Sequence, residues 1–539
     1  MRTQHPIWPT TIVMMSIVGM VGWKAVEPRV ITLPKRASVS DDMAAVDRID
    51  ALLNKEWEHS SIRPAAAADN LQVLRRLTLA LVGSSPSLKE VREFESDTSP
   101  DRLARWTTRL IADSRFSEYF AARLGDAFID PVSEELKPHQ RERFRQWLGE
   151  SIQQGTGYDE IASAMIAGRG VFADHPATTF VASELALGDL AAERLAARTS
   201  RAFLGQRIDC AQCHDHPFAS WEQSQFEGLA AYFGDVQFQR NRVQDTRPRP
   251  FVIQDDRAEQ SRSVAAELPF DAFMASDHKH QREALASWVI HPENRRFRRA
   301  IANRVWGLML GRPFISPVDD LPDPGTSNDP DDVDVLDILA DDLIDHGDDL
   351  RRLIHVIVKT RPFGLASTHP GLGDEVTANK LEASWAVFPL TELGPHQMIR
   401  SMQQASSINT LRPDELNPVA AFRRWQRQSR FINEYGIAGD SEDAQASTIP
   451  HTVQRLSGNE TRQQSEATLF SAVGRIAAIS GTAEACLDHC YMACLTRHPS
   501  AEEKAHFLPE LEGNRKVRSR ACEDIYWTLF NSAEFCWNH

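Results

Sequence analysis

The stretch "CAQCHDHPFASW", residues 210–221, holds two of the chain's seven cysteines, two of its eighteen histidines and an aspartate. The spacing Cys210-x-x-Cys213-His214 suits covalent haem c: two thiols add across the two vinyl groups, and the adjacent imidazole binds iron from the same side. Random placement of those residue numbers in 539 positions yields roughly 0.003 such pentapeptides, so accident is a poor explanation. The same residues admit two other chemistries. Cys210 and Cys213 could form a thiolate knuckle for zinc or iron, with His214 or His216 completing the metal site. A structural zinc site usually draws on a second motif, and the chain has no second Cys-x-x-Cys. A plain disulfide or redox pair is the third. In the haem reading Cys210 and Cys213 are thioether anchors, His214 is the proximal ligand, and Asp215 and His216 are candidates to orient it. His216 is too near His214 in sequence to reach the opposite haem face. Met274, His278, His280, Met309, His396 and Met398 stay open as the sixth ligand.

Other residues invite chemistry less directly. Cys486, Cys490 and Cys494 recur every four residues with His489 beside them, so they share one helix face. Core packing, a disulfide to Cys522 or Cys536, or a metal all fit that face. Residues 319–349 are dense in aspartate but lack the register of a calcium loop, and Asp329 before Pro330 reads as a helix cap. Asn303, Arg304, Trp306 and the Asp319-Asp320 pair form a weaker candidate polar site, against a plain helix-packing role. A phosphate-binding glycine loop, a His-Glu-x-x-His motif and a Gly-x-Ser-x-Gly elbow are absent, and catalytic residues stay unknown.

The elements that must position these residues read as helices. "VDRIDALLNKEW" places Val46, Ile49, Leu52, Leu53 and Trp57 at helical spacing, and "NLQVLRRLTLALVG" continues until Gly83 stops it. "SPSLKEVREFES" opens on a serine cap, and "SPDRLARWTTRLIADS" repeats the device with Pro100 at the first helical position. Further helical stretches reach Gly205, which ends the helix before the cysteine motif. Residues 235–270 lose the helical period and carry prolines, with room for a few strands. Helical stripes resume in "HQREALASWVIH", "NRRFRRAIANRVWGLMLG", "DVDVLDILADDLIDHG" and "DLRRLIHVIVKT". A poorly patterned segment, about 433–462, precedes three closing helices. The expected fold is mainly α: two helical domains, 43–236 and 271–539, with an irregular or β-containing junction at 237–270. Residues 1–42 are expected to be a leader or anchor plus linker.

Composition narrows the function classes. Hydrophobic residues make up 42% and charged residues 25%, the balance of a globular chain rather than a polytopic membrane or disordered one. A formal charge of −15 would repel a phosphate backbone, so nucleic acid is not an expected partner. The arginines of "RFRRAIANR" (296–304) and "RNRVQDTRPRP" (240–250) read as solvated faces and internal ion pairs. At the N-terminus, Arg2 precedes an apolar run from Thr11 to Trp23, the length of an export-signal core. Export to the periplasm or cell envelope is expected, by cleaved signal peptide or by retained membrane anchor, although Lys24, Arg29, Lys35 and Arg36 oppose outward translocation.

"FLGQRIDCAQCHDHPFASWEQSQFEGLAAYFGDV" (203–236) resembles the signature of a planctomycete cytochrome-c-type domain of exported proteins. "IDALLNKEW", "LRRLTLALVGSSPSLKEVREF" and "FRQWLGESIQQGTGYDEIASAMIAG" are similar to its N-terminal part. "REALASWVIHPENRRFRRAIANRVWGLMLGRPFISPVDDL" (282–321), "LTRHPSAEEKAHF" and "WTLFNSAEFCWNH" resemble its usual partner, a planctomycete domain of unknown function. The resemblance implies an exported two-domain protein with haem on Cys210, Cys213 and His214, and it supplies no reaction. The separate N-terminal cytochrome domain of many relatives is not expected here, and the cysteine-containing stretch associated with the region near 433–462 does not appear in it. Three functions are carried forward: an envelope haem c protein that shuttles electrons or gates a redox reaction with an unidentified redox or envelope protein partner, a non-catalytic envelope scaffold with a structural metal or disulfide at the motif, and a metal-dependent hydrolase. The last lacks a visible carboxylate pair for bond cleavage.

Overall fold

A computed structural model describes residues 42–129, 137–188, 190–216, 221–246, 250–255, 260–270, 280–323, 333–413, 418–435 and 458–539. The apolar run at 11–23 and Asp329 lie outside these residues. Among the described residues no helix is long and apolar enough to cross a membrane.

The protein is mainly α, and its helices follow their apolar stripes. In Asp42–His59, Val46, Ile49, Leu53 and Trp57 are buried on one side. Asn70–Val82 starts where the Asp69 carboxylate accepts from the Leu71 amide at 2.8 Å and stops at Gly83, whose φ is 69°. Leu88–Ser96 starts with a reciprocal box: Ser87 Oγ accepts from the Glu90 amide at 3.2 Å, and Glu90 Oε2 accepts from the Ser87 amide at 2.8 Å. The next helix departs from the expectation for Pro100. It runs Arg102–Ile111 after Asp101, and Pro100 sits in a turn ahead of it. There Asp97 Oδ1 accepts from the Ser99 amide at 3.1 Å, and Ser99 O accepts from the Arg102 amide at 3.2 Å, so the turn displaces the helix start by two residues.

The junction contains two hairpins. β2 (Val236–Gln239) and β3 (Arg242–Asp245) pair antiparallel, and β1 (Gly170–Val171), from the preceding helical region, pairs with the far edge of β3. β4 (Phe251–Asp255) pairs with β5 (Gln260–Val264). Short β6 (Thr391–Glu392) pairs with β7 (Trp537–Asn538), bringing the chain end back to the middle of the sequence. The segment expected to be unpatterned over 433–462 is helical at both margins, in Pro418–Tyr435 and Asn459–Ser465.

Buried apolar side chains from Ala45 through Val243 and from Leu285 through Phe388 form one continuous core. A second, smaller core is built from Met398 through Cys536. Two adjacent arginines of Asn70–Val82 tie them together. Arg75 donates to the carbonyls of Cys494 at 3.2 Å and Phe535 at 3.1 Å; Arg76 donates to those of Phe363, Leu365 and His539 at 3.0, 2.6 and 2.9 Å. Burial pushes the two guanidinium pKa values down to about 10 and about 9, and the carbonyl oxygens replace the water each charge has lost.

The aspartate-rich stretch supplies counterions to the arginine-rich helix Arg295–Leu310. Arg298 grips Asp348 at 2.9 and 2.7 Å, Arg299 grips Asp334 at 2.8 and 2.7 Å, and Arg296 reaches Asp323 at 2.8 Å. Within this stretch Asp334 caps Val335–Asp345, its Oδ1 accepting from the Asp337 amide at 2.9 Å.

Candidate functional site

The cysteine motif is carried on a loop tied down at both ends. Helix Ala191–Thr199 continues through a single π-turn, Ser200–Leu204, into Gly205, whose left-handed φ of 63° turns the chain outward. Gly205 O accepts from the Leu321 amide at 2.7 Å. Buried Gln206 donates from Nε2 to Asp323 at 2.5 Å and accepts at Oε1 from the Trp221 indole at 3.1 Å, joining the first residue of the loop to the last. Arg207 reaches Asp319 at 2.7 Å. Through these contacts, residues 319–323 of the second half hold the base of the loop.

Within the loop a 3-10 turn, Asp209–Gln212, sorts side chains by environment. Ile208 and Ala211 are fully buried, whereas Cys210, Cys213 and His214 are exposed. Both cysteines are free thiols. His214 Nδ1 lies 2.7 Å from Asp215 O. A carbonyl only accepts, so Nδ1 carries the proton and Nε2 presents its lone pair. The Asp215 carboxylate does something else: it accepts from the Gln223 amide at 2.9 Å, at the start of helix Gln223–Ala231. Asp215 thus orients the imidazole through its main chain. His216 donates its amide to Trp221 O at 2.8 Å.

Several other candidates are placed elsewhere. Asn303 is fully buried and clamps Ile315, donating to its carbonyl at 2.8 Å and accepting from its amide at 2.9 Å. Arg304 donates to Ala202 O at 3.1 Å, and Trp306 packs edge-on against Phe314 and Trp385. These three residues shape the helix packing behind the motif. Met309 lies in the main core and Met398 in the second, and Met274 and His278 lie outside the described residues. His280 Nδ1 lies 3.9 Å from the Asp245 carboxylate.

The C-terminal cysteines are all buried and all free. Helix Ala483–Leu495 carries Cys486, Cys490 and Cys494, and helix Arg515–Phe530 carries Cys522. The sulfurs of Cys486, Cys490 and Cys522 lie within 4.8 Å of one another, the single such thiol, imidazole or carboxylate grouping among the described residues. Hydrogen bonds from Cys490 and Cys522 hold the Cys486 thiol down at about 4, and those to Cys486 and Cys522 push the Cys490 thiol well up. His489 is not a member of the trio. Its Nε2 accepts from Arg92 at 2.7 Å, which leaves Nδ1 to donate to Ser480 Oγ at 3.2 Å. The four-residue spacing marks the pair on one helix, but nothing local in the sequence marks Cys522 as the third member.

Residues 48–238 match the family model PSCyt2, described as a protein of unknown function (DUF1549). Residues 281–510 match PSD1, also described as a protein of unknown function (DUF1553). The chain carries a region similar to PSCyt2 followed by a region similar to PSD1. The PSCyt2 region contains the Cys210 loop, and the PSD1 region contains Asp319, Leu321 and Asp323, which hold that loop's base. Cys486 and Cys490 fall inside the PSD1 match and Cys522 beyond it. Comparison with curated proteins and with solved structures gave no match.

Proposed function

We propose that this chain is an exported c-type-haem-binding protein with an electron-transfer role at the cell envelope. The reading rests on one observation: the anchored 3-10 turn exposes Cys210, Cys213 and His214 together, with the histidine proton held on Nδ1 by Asp215 O. Two free, accessible thiols suit attachment along a porphyrin edge. The Nε2 lone pair suits iron, because the other ring nitrogen already has its hydrogen-bond partner. Bound haem would supply reversible one-electron transfer. The chain's own contribution is the buried side of the turn, Ile208 and Ala211, which anchors the turn beneath the exposed cysteines, and the Gln206–Trp221 bond, which closes the loop.

A zinc or iron knuckle would need the ligand atoms of Cys210, Cys213 and His214 or His216 to converge on one point. Haem attachment has no such requirement. Production in a host with haem-attachment machinery tests the reading. The expected product is a coloured, exported protein, one haem heavier than the chain, that stains for peroxidase on a denaturing gel. Cys210→Ala with Cys213→Ala removes the stain. Colourless wild-type protein of unmodified mass from that host would refute the proposal, and zinc bound at the motif would select the scaffold reading instead.

A further inference from the structure

We propose that Cys486, Cys490 and Cys522 form a buried all-sulfur site for one thiophilic d10 metal ion, Zn(II) or Cu(I). The site is separate from the haem motif and its existence does not depend on that reading.

The geometry is already close to that of a bound ion. Thiolates at about 2.3 Å from zinc stand ~3.8 Å apart in a tetrahedral site. Here all three sulfurs lie within 4.8 Å of one another, and Cys486 and Cys522 are 3.2 Å apart. Small side-chain adjustments reach the bound geometry without moving a helix. A disulfide between Cys486 and Cys522 would bring those sulfurs to about 2.05 Å and leave Cys490 as a third thiol with no role in the bond.

The surroundings select the ion. The three donors are sulfur, and softness favours Cu(I) or zinc over magnesium, calcium or manganese. His489, the nearest imidazole in sequence, is committed to Arg92 and Ser480. The set is therefore three-coordinate from the protein, which suits Cu(I) directly and zinc with one added ligand. Three thiolates around a divalent ion leave one net negative charge. Arg518, on the same helix as Cys522, acts electrostatically on Cys486 and offsets that charge. Arg518 donates from Nη1 to Ser480 O at 2.9 Å, while its buried Nε has no hydrogen-bond partner among the described residues. Binding breaks S–H bonds and forms three metal–sulfur bonds, with the displaced protons passing to solvent and no change of oxidation state. The ion would staple helices Ala483–Leu495 and Arg515–Phe530 across the smaller core, where a metal substitutes for apolar area.

The test uses the full chain with Cys210→Ala and Cys213→Ala, so that metal at the haem motif cannot contribute. Anaerobically purified protein should carry one equivalent of zinc or copper by elemental analysis, and which metal is found separates the two ions. X-ray absorption should report three sulfur ligands, and Cys490→Ser should lose the metal while Cys494→Ala keeps it. If Cys490→Ser does not fold, titration of the folded parent with Co(II) and with Cu(I) decides the question, since either ion in a thiolate site produces sulfur-to-metal charge-transfer absorption. A folded parent that neither carries metal nor develops that absorption overturns the proposal. A Cys486–Cys522 disulfide, found by mass after alkylation of freshly exported protein, overturns it as well.

Discussion

The amide of Leu321 donates to the carbonyl of Gly205 at 2.7 Å, so the residue that launches the cysteine loop from one half of the chain is held by the other half. The PSCyt2 and PSD1 regions therefore build the base of the loop jointly, and the continuous core beneath it runs through both.

Gly205→Ala should expose this coupling. A left-handed φ costs a non-glycine residue about 1–3 kcal/mol. A Cβ would also stand 3.0 Å from Leu321 Cδ1 and 3.1 Å from Ala300 Cβ. The expected result is a lower urea midpoint with an unchanged slope, together with slower haem attachment in a competent host. A midpoint equal to wild type would show that the turn relaxes freely.

Asn303→Ala should destabilise the chain by about 1–3 kcal/mol, because Ile315 loses its partners at both the amide and the carbonyl. Asn303→Asp keeps the acceptor for the Ile315 amide and should fall between the two in chemical denaturation. Equal stability of all three proteins would remove the clamp from the account of the fold.

Asp215→Ala should leave the axial-ligand absorption of the haem protein unchanged, since the His214 proton is held by the Asp215 main chain. The variant loses only the carboxylate that accepts from the Gln223 amide. A displaced redox potential with intact folding would instead place the carboxylate in contact with the ring.

Acid stability should depend on Arg497, which bridges Glu503 at 2.8 and 2.9 Å and Glu534 at 2.5 and 2.6 Å. Burial raises the Glu534 pKa, but Arg497 and His539 outweigh it and hold the carboxyl at about 2. The Glu503 carboxyl is lowered too, first by its bond to Arg497. Both folded values lie below the unfolded ones, so the native state binds fewer acid protons. The resulting stability is complete above the ordinary carboxylate range of about 4–5 and is lost as pH falls toward 2. Thermal melts should show Arg497→Met less stable at neutral pH and less sensitive to acid below pH ~5. Parallel pH profiles for the two proteins would count against the bridge.

Much of the fold is local and was readable as such. The stripe of Val46, Ile49, Leu53 and Trp57 specifies a helix because burial at helical spacing is a property of neighbouring residues. The Ser87–Glu90 box marks its helix start for the same reason. Pro100 shows the limit: a proline suits the first helical turn, but the hydrogen bonds of Asp97 and Ser99 make it part of the preceding turn.

The sequence by itself determined the helices, their caps, and the presence of two thiols and an imidazole at fixed spacing, since each depends on residues within a few positions of one another. Tertiary structure decided which side of the cysteine turn faces out, through Ile208 and Ala211. It matched Arg298 to Asp348, fifty positions apart, and brought Cys522 to Cys486 and Cys490. Those outcomes depend on which surfaces meet when the core closes. Pairing across long separations follows from burial and charge satisfied together, and no local pattern specifies that partner.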